Sequence, residues 1–186
     1  MTAIAIFVKT PGFSRVKTRL ARDIGEDRAI ALYRQCAAAV FEVAGSAAVG
    51  PVYWALAETD ADAQTRWTPA ACIRQGPGGL GERMSRVLAA LVERHGSGLL
   101  LGADAPQIDT AHLREAAGWL EHPSMRQVVG PARDGGFWTF GANHVVPAER
   151  WTGVAYSRPD TLGMFRASIG DEAPRLELPI LTDLDT

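Results

Sequence analysis

The sequence predicts an α/β fold on a mostly parallel sheet, and three observations carry that expectation. Short apolar runs of strand length alternate with stretches of helical periodicity along the chain. Several of these runs are apolar at every position, as strands buried on both faces are. Three polar segments follow apolar runs directly, and in such sheets the loops at the C-terminal strand ends bind ligands.

Taken in order, AIAIFV at 3–8 is the first buried strand. A basic loop follows, with Lys9, Arg15, Lys17, Arg19 and Arg22 and no acid before Asp23. The Ala-rich stretch from Glu26 to about Ala44 is a strong helix, ended by Gly50 and Pro51. VYWALA at 52–57 reads as a second strand, 60–66 as a short helix and 72–74 as a weak strand. QGPGGLG at 75–81 reads as a flexible loop, and 82–96 as an amphipathic helix ending at Gly96. GLLLG at 98–102 is a third buried strand, after which Asp109 or Thr110 caps a helix running to about Glu121. RQVVGPA at 126–132 is a strand, and the aromatic alternation of 135–142 suits a strand near an edge, in antiparallel sense. A helix over 158–169 and a strand over 175–180 complete the reading.

The 186 residues are 47% hydrophobic and 22% charged, which predicts one folded domain over 1–186 with a sizeable core. A net charge of −2 gives no global basic field for nucleic acid. Anion binding must therefore come from a local cluster, and small-molecule partners are expected. No stretch approaches a membrane span, and no basic segment followed by a long apolar run opens the chain. Cys36 and Cys72 form no C-x-x-C pair, so buried reduced thiols and a cytoplasmic setting are expected. Oligomeric state is not legible.

The loop after the first strand has the single glycine Gly12, which excludes a dinucleotide-binding G-x-G-x-x-G. GFSRVKT lacks the second glycine of a P-loop and is one residue short of it. What remains is a loop that offers side-chain cations: Lys9, Arg15, Lys17 and Arg19 could together neutralise a diphosphate or triphosphate. A solvated basic loop is the competing reading. The chain contains 17 arginines and two lysines, and both lysines lie here. Lysine is a mobile point charge, suited to a phosphate that shifts during transfer, whereas Arg15 and Arg19 would act as fixed clamps.

Asp104, in GADAP just past the third strand's GLLLG, is a candidate divalent-metal ligand or a turn cap. Asp134, in ARDGG, is a candidate site residue or the corner of a hairpin. Asp183 and Asp185 form D-x-D near the chain end, a spacing that puts two carboxylates on one face of an extended segment. The four histidines show no metal-ligand spacing, and no G-x-S-x-G elbow is present. Trp138 could line a pocket or fill the core.

Six blocks in order resemble a bacterial transferase family associated with radical-SAM and selenodomain proteins and with arsenosugar biosynthesis. KTPGFSRVKTRL (9–20) is similar to K-x-P-x-x-G-x-V-K-T-R-L, QGPGGLGERM (75–84) to Q-G-x-G-D-L-G-x-R-M, and LGADAP (101–106) to a G-S-D-x-P element. GPARDGGFW (130–138) is similar to G-P-A-x-D-G-G-Y, YSRPDTL (156–162) to a W-S-T element, and LTDLDT (181–186) to the start of D-I-D-T-P-x-D-L. In this sequence Ser14 stands where the family usually has Gly, and Gly79 where it usually has Asp.

The resemblance implies the GT-A type nucleotide-diphospho-sugar transferase fold, a three-layer α/β/α sandwich on a mostly parallel mixed sheet. Distant kin are the 2-phospholactate and molybdenum-cofactor guanylyltransferases. It further implies that Lys9, Arg15, Lys17 and Arg19 hold phosphates, with Lys17 also acting in catalysis. Gly76, Gly78 and Gly81 would let backbone approach the nucleotide. Asp104 with Asp183 or Asp185 would hold Mg²⁺ or Mn²⁺, and Asp134 would orient or deprotonate an acceptor. The implied activity is metal-dependent glycosyl transfer from a nucleotide-activated sugar. Nucleotidyl transfer from an NTP to a phosphorylated acceptor is the alternative, and a non-catalytic nucleotide-binding module the second.

Overall fold

The alternation of large and small residues in the first strand sets the layers of the molecule. In the computed structural model, which describes residues 1–67 and 69–184, β1 spans Thr2–Val8 and is buried on both faces. Ile4, Ile6 and Val8 pack on one side and Ala3 and Ala5 on the other. The larger face receives α2 (Glu26–Ala47), through Tyr33, Ala37, Val40 and Ala44, and α5 (Thr110–Leu120), through Leu113, Ala116 and Leu120. The alanine face receives α4 (Leu80–His95), through Met84, Val87, Leu88 and Leu91. Helices α6 (Glu149–Thr152) and α7 (Thr161–Ile169) share that layer, through Trp151, Phe165 and Ile169. These are the helical periodicities of amphipathic segments, and the result is three layers.

The sheet has seven strands. The others are β2 (Val52–Leu56), β3 (Ala71–Arg74), β4 (Ser97–Gly102), β5 (Gln127–Pro131), β6 (Phe137–Ala142) and β7 (Arg175–Glu177). Their order is β3-β2-β1-β4-β6-β5-β7. All neighbours pair in parallel except β6, which is antiparallel to both β4 and β5. The chain steps outward from β1 to β2 and β3, then crosses back to β4 on the other side of β1. Crevices form at such switch points. Phe7 pairs with Gly102, so β1 and β4 release their following loops side by side. Because β6 runs backwards, the β5–β6 turn returns to that same edge. Past β7, Ala132 bridges to Leu181, and Leu184 N–H donates to the Asp104 carbonyl at 2.9 Å, so the C-terminal segment ends there too.

Four expectations change. The 135–142 strand is not near an edge; it lies between β4 and β5. Its aromatic alternation reports burial of both faces: Trp138 joins the α2/α5 core while Phe140 joins the α4 core. A bulge allows this, since Pro131 pairs with Phe137 and Gly130 with Thr139, leaving Trp138 as the extra residue. A Cβ on Gly130 would lie 2.3 Å from the Trp138 ring, so glycine there makes room for it. Second, the basic run is not all loop: α1 (Thr18–Ile24) begins inside it and α2 follows after Gly25. Third, the 175–180 strand stops at Glu177, and the 158–169 helix starts only at Thr161. Fourth, Cys72 is half-buried rather than buried; neither cysteine is in a disulfide, and burial raises both thiol pKa values. A short α3 (Ala61–Thr65) and the Asp109 cap of α5 are as expected, with Asp109 Oδ1 accepting from the Ala111 N–H at 2.6 Å. Among the described residues no helix is long and apolar enough to cross a membrane.

Candidate functional site

A cleft of about 930 Å³ opens at the C-terminal ends of β1 and β4. Its wall includes Lys9, Arg15, Lys17, Arg19, Gly78, Asp104 and Asp134. Residues separated by up to 125 positions in sequence thus meet, because the switch point joins the loops after β1 and β4 and the reversed β6 supplies the turn holding Asp134.

The segment after β1 is pinned at its base. Lys9 N–H donates to the Tyr33 hydroxyl, and the Thr10 N–H and hydroxyl donate to the two Glu58 carboxylate oxygens, each at 2.9 Å. Trp67 Nε1 donates to the Thr10 hydroxyl at 2.9 Å. Burial holds the Tyr33 phenol well above its ordinary pKa, so it stays a neutral acceptor for the loop. Lys9, Arg15 and Arg19 project from this frame as exposed cations, Arg19 from the first turn of α1.

Lys17 differs from them. Its side chain is only 7% exposed, and Nζ lies 2.6 Å from Asp104 Oδ2, whose side chain is 31% exposed. Its backbone is left-handed, with φ 45° and ψ 46°, a conformation costing about 1–2 kcal/mol outside glycine. Ser157, also in the cleft wall, has φ 61°. Strained non-glycine residues persist where surrounding contacts over-determine them, and they cluster at functional sites.

The Gly-rich segment after β3 contributes backbone. Gly78 and Gly79 line the cleft where α4 begins, and Glu82 Oε2 accepts the Gly79 N–H at 2.6 Å. Gly76 and Gly81 do not line it. A Cβ on Gly81 would stand 2.4 Å from the Trp151 carbonyl oxygen, and one on Gly76 would stand 2.6 Å from Arg86 Nη1. A Cβ at either position would meet a neighbouring protein group.

Asp134 is exposed at the β5–β6 turn, and its Oδ1 accepts the Gly136 N–H at 2.8 Å. Asp134 is thus a turn residue that also forms part of the cleft wall. Trp138 is 1% exposed in the core and also forms part of the cleft wall. Asp183 belongs to the segment tied to the Asp104 carbonyl through Leu184 N–H. Asp185 lies outside the described residues. Among the described residues no three His, Cys, Asp or Glu side chains gather as a ready-made metal cage.

Sequence reasoning missed three contributors. Arg83 lines the cleft and donates from Nε to the Gly78 carbonyl at 2.8 Å. Arg158 also lines it, and Asp160 holds that guanidinium through two hydrogen bonds of 3.0 and 3.3 Å. Gln75 directly follows β3, with its side-chain Nε2 donating to carbonyls of β1 and β2. The signal was present for all three, since Arg83 and Gln75 stand within QGPGGLGERM and Arg158 within YSRPDTL.

The family model described as an uncharacterized protein conserved in bacteria (DUF2064) matches residues 39–158. No curated protein matches the sequence. Among solved structures, a protein of Desulfovibrio desulfuricans G20, provisionally assigned as a nucleotide-diphospho-sugar transferase, superposes with a TM-score of 0.87 at 25% identity, over 100% of this chain and 82% of that one. CMP:2-keto-3-deoxy-manno-octonic acid synthetase complexed with CTP superposes with a TM-score of 0.58 at 13% identity, over 100% of this chain and 94% of that one. Glucosyl-3-phosphoglycerate synthase from Mycobacterium tuberculosis, in complex with Mn²⁺, UDP and phosphoglyceric acid, gives 0.55 at 12% identity, over 100% of this chain and 71% of that one. At such identities the latter two report a shared fold, and that fold is the GT-A type the sequence blocks imply.

Proposed function

The chain belongs to this bacterial family, DUF2064, and from that premise we propose that it is a transferase that takes a glycosyl group from a nucleotide-activated sugar. The observation that carries the reading is the convergence of the cationic β1–α1 segment, Asp104 and Asp134 on one cleft. The likeness to the D. desulfuricans protein supports the same kind of donor.

In this reading Lys9, Arg15 and Arg19 take the donor's phosphates, and Arg83 adds a fourth exposed-side cation while bracing Gly78. Fixed positive groups aimed at a departing diphosphate stabilise the charge that develops on it. Lys17, whose side chain is 7% exposed, is held at Asp104, whereas Lys9, Arg15 and Arg19 are exposed. Asp134, across the cleft on a turn, orients an acceptor hydroxyl and takes its proton.

The donor set suits a divalent ion. Mg²⁺ is usually bound by one or two carboxylates together with substrate phosphate oxygens rather than by an all-protein cage. Asp104 is partly open to the cleft, and the segment carrying Asp183 is tied to it. Asp104 and Asp183 would hold Mg²⁺ or Mn²⁺, with Asp185 a further candidate, and the ion would supply Lewis-acid charge to the leaving diphosphate. Because Lys17 Nζ already contacts Asp104 Oδ2, Lys17 and an ion would share one carboxylate.

A second reading, nucleotidyl transfer, is favoured by the number of cations. Lys9, Arg15, Lys17, Arg19 and Arg83 around one cleft suit a triphosphate as well as a diphosphate. Thermal shift with nucleotide sugars and NTPs, each with and without Mg²⁺ or Mn²⁺, separates the readings when followed by product analysis. Release of nucleoside diphosphate supports glycosyl transfer, whereas release of pyrophosphate replaces it with nucleotidyl transfer. Binding without turnover of either class would make the chain a non-catalytic nucleotide module.

A further inference from the structure

Arg158 lines the cleft on a loop that the fold ties to the turn bearing Asp134. Leu162 N–H donates to the Gly135 carbonyl at 2.8 Å, and a Cβ on Gly135 would run into the Pro159 carbonyl. Thr161, 3% exposed, closes the loop: its Oγ1 accepts the Arg158 N–H and donates to the Ala155 carbonyl, each at 3.0 Å. Arg158 and Asp134 therefore reach the cleft on one locked unit. The guanidinium is positioned by Asp160. That residue stands at the N-cap of α7, where a carboxylate ordinarily caps a helix, but it makes no capping bond there. It accepts instead from Arg158 Nε at 3.0 Å and Nη2 at 3.3 Å. Those bonds use one edge of the planar fork. Among the described residues Nη1 has no hydrogen-bond partner, so Nη1 and the second Nη2 N–H stay open as a parallel pair of donors. Such a pair matches the two oxygens of a carboxylate or a phosphate. The Arg158 and Asp160 side chains are 60% and 55% exposed, so solvent screens their pairing and the guanidinium keeps charge for a ligand.

Position separates this cation from the others. Lys9, Arg15, Lys17 and Arg19 come from the segment after β1 and Arg83 from α4, whereas Arg158 comes with the β5–β6 turn from beyond β4. Asp134, on that turn, is the group assigned above to the acceptor. A carboxylate there repels an acidic acceptor, and a cation on the same unit offsets the repulsion. The W-S-T element that YSRPDTL resembles has an uncharged Thr where this chain has Arg158, so the charge is particular to this sequence. Resting on the transferase reading above, we propose that Arg158 determines acceptor specificity and that the acceptor is an acid. Its carboxylate or phosphate docks on the open edge of the Arg158 guanidinium while its hydroxyl faces Asp134.

Isothermal titration of nucleotide-loaded protein tests this. The protein is saturated with whichever of the four common nucleoside diphosphates binds best in Mg²⁺. It is then titrated with glycerol, glycerate and glycerol 3-phosphate, which share one skeleton and differ in charge. Wild-type protein is expected to bind at least one of the two acids about tenfold or more tighter than glycerol, since charge-assisted pairs are the strong ones. Glycerate against glycerol 3-phosphate then tells which acidic group fits. Arg158→Met is expected to bring all the probes within about threefold of one another and to keep nucleoside diphosphate affinity within about twofold of wild type. Equal or undetectable binding of the probes to loaded wild-type protein overturns the proposal, whatever the variant's stability. So does a folded Arg158→Met variant that keeps the preference for acids. A variant that loses nucleoside diphosphate affinity as fully as acid affinity also overturns it, because Arg158 would then be a donor-phosphate cation. Failure of every nucleoside diphosphate to bind wild-type protein is a different result: the transferase reading itself falls, and this inference with it.

Discussion

The segments after β1 and after β3 both line the cleft, and they do so by opposite means. The β1 segment sends side chains inward from a pinned backbone: Tyr33 and Glu58 hold its base, and the part-buried Lys17–Asp104 pair holds its end. The β3 segment turns backbone inward and takes its support from behind, with Arg83, Arg86 and Glu82 of α4 bonding Gly78, Gln75, Pro77 and Gly79. Charge is placed by long side chains whose anchor must be fixed, whereas close approach is achieved by leaving side chains out. The first segment should therefore be sensitive to loss of charge and the second to added volume.

The largest effect is expected from Lys17→Met. It removes the cation held at Asp104 and leaves that partly buried carboxylate without this partner. Turnover should fall by about 10²–10³-fold, as for other fixed groups that stabilise transition-state charge. Measured kcat/KM decides, and a loss under about threefold would mean that the strained lysine carries structure alone. Lys17→Arg sharpens the point. A planar guanidinium cannot replace a compact ammonium in a pocket 7% exposed, so a loss nearer tenfold is expected.

Much of this was legible in the sequence. Alternating apolar runs gave the sheet and its helices, and Lys9, Arg15, Arg19, Asp104 and Asp134 all reach the cleft because each follows a strand whose C-terminal end faces it. What failed to show depends on three-dimensional neighbours. The partners Lys17 and Asp104 are 87 positions apart and meet only because β1 pairs with β4. The place of β6 between β4 and β5 could not be read from its alternation, since a bulge lets aromatics fill both faces. The glycines of 75–81 share one motif yet serve different ends, and only packing against α6 and α7's preceding loop separates Gly81 from Gly78.

That division of the glycines gives the next two expectations. Gly81→Ala puts a Cβ 2.4 Å from the Trp151 carbonyl oxygen and 2.8 Å from the Tyr156 ring. Backbone cannot move aside, so stability should drop by about 1–3 kcal/mol in urea melts, with little change in nucleotide affinity. Gly78→Ala meets the flexible Glu82 carboxylate instead, at a φ of +99°. It should cost about 1–2 kcal/mol for the left-handed backbone and also weaken binding, because Gly78 is part of the cleft wall. Equal effects of the two on affinity would erase the distinction between packing glycine and cleft glycine.

Arg86→Ala should have the smallest effect and the most selective one. Arg86 Nη1 bonds the Gln75 carbonyl and, at 3.2 Å, the Pro77 carbonyl, from a side chain that sits on the outer, exposed face of α4. Removing it leaves those oxygens to water and costs about 1 kcal/mol of stability. The cleft keeps all its cations, so pyrophosphate should bind as before. The β3 segment becomes less pre-organised, and nucleotide affinity should weaken by roughly threefold. Lys17→Met predicts the opposite pattern, with pyrophosphate and nucleotide weakened alike, because the lost charge acts on the part the two ligands share. If Arg86→Ala weakened pyrophosphate as much as nucleotide, the two segments would be acting as one phosphate grip, and the separation of charge from shape would not describe this cleft.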